Sequence, residues 1–190
     1  MSTLIHRRRH SATVTASTVE PSVATEQTRS AAIQWTLVVL RLALAWEFLW
    51  AFLDKTFGLG HETASGDAWI HGGSPTKGFL AFGASGPFKG FYHSIAGDGW
   101  ADWLFMLALA GLAVALFLGI GMRVAVVAGV VLTVMMWSVV LPPENNVFMD
   151  YHLVYALALI AIGLAGTERT FGLGRWWQST ALVQRWPWLK

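Results

Sequence analysis

Cysteine is absent from the 190 residues, and charged residues make up only 13% of them. The absence of cysteine excludes a disulfide framework, a thiolate-ligated iron–sulfur cluster and a covalently attached c-type haem. About a quarter of the residues in soluble domains are charged, whereas this chain is 55% hydrophobic with a mean hydropathy of +0.51. A soluble fold of this size has too little interior for so much apolar surface. The composition therefore predicts a protein of the lipid bilayer.

Four long apolar segments follow a polar N-terminal stretch. They cover residues 33–53, 103–120, 124–141 and 147–166. Each reaches the minimum of about 17 residues that a helix needs to cross the hydrocarbon core, and none alternates as the strands of a membrane barrel do. The sequence therefore predicts an all-α integral membrane protein whose membrane domain, residues 32–166, is a four-transmembrane-helix bundle.

The two flanking segments differ in composition. Residues 1–31 contain three consecutive arginines, many Ser, Thr, Val and Ala residues and no aromatic residue. They lack the apolar run of a signal peptide, so we expect a disordered basic tail. Residues 167–190 combine four tryptophans with arginine and lysine, a mixture typical of a segment at the membrane interface. We therefore expect this second segment to be an interfacial tail on the cytoplasmic side.

The connection between the first two apolar segments, residues 58–102, is too long for a simple turn. Two signals within it predict short helices: Ser74 followed by Pro75, a helix cap with proline in the first turn, and the pair Gly86–Pro87. Aromatic residues at three- and four-residue spacing follow the second signal. We therefore expect a long outer loop carrying short interfacial helices.

The distribution of positive charge predicts the orientation. With the N-terminus inside, nine of the thirteen Lys and Arg residues lie on the cytoplasmic side, three lie outside and Arg41 lies within the first helix. This asymmetry follows the positive-inside rule. We therefore expect a multi-pass protein of the plasma membrane with both termini in the cytoplasm, and we do not expect nucleic acid as a partner.

Two charged residues fall within the first apolar segment. A charge at membrane depth costs at least about 2.5–3.5 kcal/mol, so Arg41 and Glu47 need a reason to be there. They are about 9 Å apart along the helix and about 240° around it, which prevents them from pairing. Glu47 and Asp54 share a helical face that points towards the outer side of the membrane. Either these residues contact another helix, the loop or a ligand, or Arg41 extends to the inner headgroups and Glu47 is bonded within the bundle.

A second set of polar residues begins the fourth segment. His152 and Tyr155 are three residues apart and share a helical face, and Asp150 precedes them in the first turns. A histidine at this depth is able to donate a hydrogen bond to a quinone carbonyl or to relay a proton. The alternative is an interfacial histidine held by a backbone carbonyl. No pair of His, Asp or Glu stands at ligand spacing on one helix, so we predict no metal site.

Several motifs are similar to those of the DoxX family of small four-helix membrane proteins, in particular its DoxD-like branch. The similarity extends over about residues 33–176. The motifs are RLALAWEFLWAFLDK at residues 41–55, GGSPTKGF at 72–79, GPFKGF at 86–91, PPENN at 142–146 and DYHLVY at 150–155.

The resemblance implies work at the membrane as the large subunit of a thiosulfate:quinone oxidoreductase, which acts with a smaller subunit. It implies no built-in cofactor and a quinone as electron acceptor. Under this hypothesis the quinone lies in a pocket between the first and fourth helices, the carboxylates take up protons and outer lysines attract an anion such as thiosulfate. The quinone pocket is formed by Arg41, His152 and Tyr155, the catalytic residues are His152, Tyr155, Glu47 and Asp54, and the substrate-binding residues are Lys55, Lys77 and Lys89.

Two other functions remain open beside this one. The first is a non-catalytic scaffold that docks a soluble redox enzyme through its two tails. The second is a small-solute transporter or channel whose pathway is lined by Arg41 and Glu47. The expected partners are the lipid bilayer, a small subunit or soluble redox enzyme, and a second copy of the chain in a homo-oligomer.

Overall fold

A computed structural model of the chain describes residues 23–190. Within that range the chain is helical and contains no β-strand. Three helices, α1, α3 and α4, are long and apolar enough to cross a membrane. The α-helices are α1 (Val23–Phe57), α2 (Lys89–Ser94), α3 (Gly99–Leu118), α4 (Met122–Val139), α5 (Tyr151–Ala165), α6 (Gly174–Ser179) and α7 (Ala181–Arg185).

Helix α1 begins ten residues before the predicted position 33 and continues to Phe57. Residues 23–31, which we expected in a disordered tail, therefore form its first turns, and the remainder of that tail lies outside the described residues. No proline interrupts the stretch, and Glu26 lies in the first turn, where the helix dipole favours a negative charge. At about 1.5 Å per residue the helix is about 52 Å long, which exceeds the thickness of a hydrocarbon core.

The fourth apolar segment forms a shorter helix than predicted. Helix α5 starts at Tyr151 instead of 147, because the N-cap is Asp150, which accepts hydrogen bonds from two backbone N–H groups of the first turn. Asn146 closes the preceding turn by accepting from the N–H groups of Phe148 and Met149. The helix ends at Ala165, before Gly166 in the left-handed conformation. Its 15 residues span about 22 Å.

The other boundaries differ from the predictions by two to four residues. Helix α3 starts at Gly99 and stops at Leu118, because Gly119 adopts φ +69°, which only glycine adopts at little cost. Helix α4 stops at Val139, where the N–H of Ser85 donates to its carbonyl at 2.9 Å. The ends of α3 and α4 are therefore set by local glycine geometry and by the outer loop.

The core lies where α1 packs on α3 and α4 packs on α5. Gly129 allows α4 and α5 to approach closely, because a β-carbon at this position would lie 2.7 Å from a methyl group of Leu159. Ala125 and Thr133, one turn away on either side, are also buried. Gly111 of α3 does not mediate such a contact, since a β-carbon at that position would face open space.

Residues 58–102, which the sequence predicts to be the outer loop, are folded against one end of the helices. Ser74 does not cap a helix as predicted: its Oγ accepts a hydrogen bond from the N–H of Lys77 at 3.2 Å within a turn, and the next helical element begins only at Phe79. The second signal forms a 3-10 turn, Gly86–Phe88, that leads into α2. Tyr92 of α2 is buried and its hydroxyl lies within hydrogen-bonding distance of Ser138 in α4. The loop therefore covers the outer end of α4.

The C-terminal segment, residues 167–190, is folded against the opposite ends of α3 and α4. The N–H of Leu173 donates to the carbonyl of Leu118 at 2.7 Å. The N–H of Arg123 donates to the carbonyl of Lys190, also at 2.7 Å. The guanidinium of Arg123 also donates to the carbonyl of Pro187. These contacts give the segment a defined position against the bundle.

Candidate functional site

An aspartate–histidine pair forms the centre of the outer site. Asp150 Oδ1 accepts from the backbone N–H of His152 at 2.9 Å and of Leu153 at 3.4 Å. Its Oδ2 lies 2.7 Å from His152 Nδ1. The carboxylate can only accept, so the hydrogen of a neutral imidazole is on Nδ1. One side chain thus caps the helix and orients the ring.

The other ring nitrogen has no partner. His152 is 2% exposed, and Nε2 is a buried atom for which no hydrogen bond is formed within the described residues. Since buried polar groups are nearly always hydrogen-bonded, such an exception calls for an explanation. The Tyr151 ring stacks at 4.0 Å between centroids, and the Phe79 ring of the outer loop lies at 6.4 Å. An oriented acceptor is therefore surrounded by aromatic rings.

Glu47 and Tyr155 extend this site one turn deeper. Tyr155 is half-buried, its ring lies 5.7 Å from that of Tyr151, and the Glu47 side chain is close enough to interact electrostatically with its hydroxyl. Glu47 of α1 therefore has its polar neighbour on α5. Glu47 itself is exposed on the outside of α1. The structure therefore brings together three of the predicted site residues, His152, Tyr155 and Glu47.

Asp54 is placed elsewhere, as an anchor of the outer loop. It is 2% exposed, and its carboxylate accepts from the N–H groups of His61, Glu62 and Thr63 at 3.3, 3.1 and 2.9 Å. Both oxygens are thereby occupied. The arrangement holds the beginning of the loop on the end of α1, and it differs from the proton-carrying role that the sequence suggested.

Arg41 lies towards the end of the helices that contacts the C-terminal segment, away from His152. It is fully buried, and its guanidinium donates to Thr167 Oγ1 at 3.4 Å and to the carbonyl of Phe171 at 2.9 Å. Thr167 follows His152 by 15 residues, or about 22 Å of helix. The structure therefore separates Arg41 from the two residues with which we expected it to form a pocket. The side chain of Arg41 is enclosed by protein.

The three predicted substrate-binding lysines are not brought together by any hydrogen bond or ion pair within residues 23–190. Lys55 Nζ pairs with Glu62 at 3.3 Å, which neutralises its charge. The stem of Lys77 lies over Gly97, and Lys89 begins α2. No ion pair is recorded for Lys77 or Lys89 in residues 23–190. Over that same range no group of three His, Asp or Glu residues is arranged to hold a metal ion.

Sequence reasoning missed two carboxylates that accept hydrogen bonds within the fold, Asp102 and Glu168. Asp102 is buried at the start of α3, where its Oδ1 accepts from the hydroxyls of Ser74 and Thr76 at 2.8 and 2.6 Å. Glu168 lies beside Arg41 around Gly119 and accepts from Gln178 at 3.3 Å. The only sequence signal for either was a carboxylate next to an apolar helix.

No family model matches the chain, and no characterised protein or solved structure is significantly similar to it.

Proposed function

We propose that this chain is the quinone-reactive subunit of a membrane oxidoreductase, with the quinone head group bound beside His152 and Tyr155. The observation that carries the proposal is the buried imidazole that Asp150 orients and whose Nε2 has no partner. A quinol hydroxyl would donate to Nε2, and a protonated imidazole would donate to a quinone carbonyl. The neighbouring rings supply the apolar walls that such a ring system requires.

The proposal includes a membrane placement. Helices α1, α3 and α4 cross the bilayer, and α5, with the turns at its two ends, is the fourth crossing. Its length of about 22 Å is less than a typical core, a mismatch that bilayers accommodate by local thinning. The arginine-rich end, which holds the C-terminal segment, faces the cytoplasm of the cell by the positive-inside rule. The outer loop and its short helices then lie at the opposite interface.

Proton exchange follows from the positions of the polar groups. Reduction of a quinone takes up two electrons and two protons, and both protons must arrive from water. His152 and Asp150 lie at the outer end of α5 and form a route for one of them. Tyr155 and Glu47, about one turn deeper, are electrostatic neighbours and form a second route. Because His152 is only 2% exposed, access requires a movement, which we assign to the turn Phe79–Gly83.

The electron donor in this proposal is thiosulfate or a related sulfur compound. Two thiosulfate ions that join through a new S–S bond release two electrons, which balances the reduction of one quinone. The resemblance of the motifs to the DoxD-like branch supports this donor. The position of the outer lysines gives it no additional support, since Lys55 is already paired with Glu62. We therefore assign oxidation of the donor to a smaller partner subunit.

The decisive experiment measures quinone binding before turnover. The purified protein in nanodiscs is titrated with a soluble quinone analogue, and His152→Gln is compared with His93→Gln, an exposed histidine of α2. Loss of one hydrogen bond is expected to weaken binding about tenfold in His152→Gln and to leave His93→Gln unchanged. Equal affinity in both variants, or no binding by the wild type, would contradict the proposal. Thiosulfate-dependent quinone reduction in vesicles then tests the donor.

A second candidate function is a scaffold that docks a soluble redox enzyme. It is favoured by the exposed tryptophans of the C-terminal segment, Trp176, Trp186 and Trp188, which the backbone contacts to α3 and α4 hold in place. Aromatic residues of this kind are enriched where proteins meet. Crosslinking in cells with and without residues 174–190 tests this function: a partner that is captured only with the segment present would support it.

A further inference from the structure

A cavity of about 580 Å³ lies between the inner ends of α4 and α5 and the C-terminal segment. It is far from His152, since its walls come from the opposite end of α5. Basic side chains line the cavity near the ends of the helices and the C-terminal segment, and apolar side chains line it farther along α4 and α5. The basic residues are Arg123, Arg169 and Lys190, and the apolar residues are Val127, Ile160 and Leu164.

The apolar part is a feature of how α4 and α5 pack. Gly163 permits close contact there, since a β-carbon at this position would lie 2.9 Å from Val126. Beside this contact, Val127 and Leu164 remain 65% and 83% exposed. Exposed aliphatic side chains on membrane-crossing helices contact hydrocarbon. The apolar part of the cavity therefore suits an acyl chain and is open to the lipid.

The basic part carries a net positive charge. Arg123 holds the C-terminal segment through Pro187, whereas Arg169 is 65% exposed and approaches Glu168 only at 3.9 Å. Glu168 lines the cavity but is shared with the buried Arg41. The three cations outnumber Glu168 even when a terminal carboxylate at Lys190 is counted. A phosphate group is the anion that matches this position at the inner interface.

One oxygen of the lining residue Glu168 lacks a partner. Glu168 Oε2 is buried and accepts no hydrogen bond within residues 23–190, although Oε1 accepts from Gln178. A carboxylate oxygen of this kind calls for a donor. A phosphate diester offers none, but a headgroup that also carries a hydroxyl offers both the anion and the donor. The headgroup of phosphatidylglycerol has this combination.

We propose that the inner cavity binds an anionic phospholipid of the phosphatidylglycerol type. Its phosphate lies between Arg169 and Lys190, its headgroup hydroxyl donates to Glu168 Oε2, and one acyl chain lies along Val127 and Leu164. The proposal depends on the membrane placement described above and not on quinone binding, because the two sites share no residue. A protein that fails to bind quinone would still be expected to bind this lipid.

Native mass spectrometry of the full chain in detergent tests the proposal with three lipids of equal acyl chains: phosphatidylglycerol, phosphatidic acid and phosphatidylcholine. The variants are Arg169→Gln with Lys190→Gln, singly and together, and the matched control is Arg175→Gln, an exposed arginine of α6 outside the cavity. Each cation removed from the cavity is expected to weaken phosphatidylglycerol about fivefold. Val127→Trp, which fills the apolar part, is expected to weaken it without any change in charge.

The expected order of affinity is phosphatidylglycerol, then phosphatidic acid, then phosphatidylcholine. Equal binding of phosphatidylglycerol and phosphatidylcholine would overturn the proposal, as would an equal loss in Arg175→Gln and Arg169→Gln. Phosphatidic acid that binds as tightly as phosphatidylglycerol would refute the hydrogen bond to Glu168. Displacement of the lipid by millimolar glycerol phosphate would show that the cavity binds a free phosphate ester and would overturn the assignment to lipid.

Discussion

Asp150→Asn separates the two roles that the structure gives to one carboxylate. The asparagine keeps an oxygen in place of Oδ1, and asparagine is as good an N-cap as aspartate. Its amide nitrogen replaces Oδ2, which lies 2.7 Å from His152 Nδ1. An NH₂ group facing an N–H is repulsive, so the imidazole hydrogen is expected to move to Nε2. The buried acceptor at Nε2 then becomes a donor.

The expected effects differ in size for stability and for activity. Because the cap is retained, the free energy of unfolding should change by less than about 1 kcal/mol. Proton transfer by a positioned side chain contributes about 10²- to 10⁴-fold to a rate, so quinone reduction should fall by at least about a hundredfold. Asp150→Ala removes the cap as well and should cost about 1 kcal/mol more. The comparison of the two variants isolates the orientation of the ring.

Nitrogen chemical shifts of labelled histidine report which ring nitrogen carries the hydrogen. The signal of His152 is assigned by its loss in His152→Gln, and wild type and Asp150→Asn are compared in micelles at a pH where the ring is neutral. A wild-type ring with its hydrogen on Nε2 would refute the orientation. A switched ring in Asp150→Asn with undiminished quinone reduction would refute the role of Nε2.

Three further predictions concern stability, measured by unfolding in mixed micelles. Arg41→Met leaves Thr167 Oγ1 and the carbonyl of Phe171 without their donor and should cost about 2–3 kcal/mol; an unchanged free energy of unfolding would contradict these hydrogen bonds. Asp54→Ala leaves three backbone N–H groups without an acceptor and should cost about 2–3 kcal/mol, with faster proteolysis of residues 58–102; an unchanged cleavage rate would refute the anchor. Gly129→Leu overpacks the contact of α4 with α5 and should cost about 1–3 kcal/mol, whereas Gly111→Leu, which faces open space, should cost much less; equal losses would argue against the close approach at Gly129.

Local signals in the sequence predicted the helices better than their ends. The long apolar segments became α1, α3 and α4 because twenty or so apolar residues without a break form a helix in almost any tertiary context. The ends shifted where a single residue supplied a cap. Asp150 shortened α5 at its start, while Gly119 shortened α3 at its end. The predicted helix after Ser74 did not form, although the N–H of Lys77, three residues away, donates to the Ser74 hydroxyl as a cap would require.

The site was predictable only in the part that lies within one helix. His152, Tyr155 and Asp150 follow one another along α5, so their spacing alone placed them together. Asp54 offered the same kind of signal as Glu47, a carboxylate near the outer end of α1. The path of the loop decided that Asp54 binds backbone N–H groups, and the packing of α1 against α5 placed Glu47 near Tyr155.

Composition and apolar periodicity by themselves determined that this is a helical protein suited to a bilayer, because the hydrophobic transfer of a long segment depends on that segment alone. The partners of its buried charges were decided by tertiary structure. Arg41 donates to Thr167, 126 residues away, and a hydrogen bond over that separation leaves no trace in local spacing. Burial of a charge is stable only where another element supplies the partner, so the packing of α1 against the C-terminal segment decided what Arg41 does.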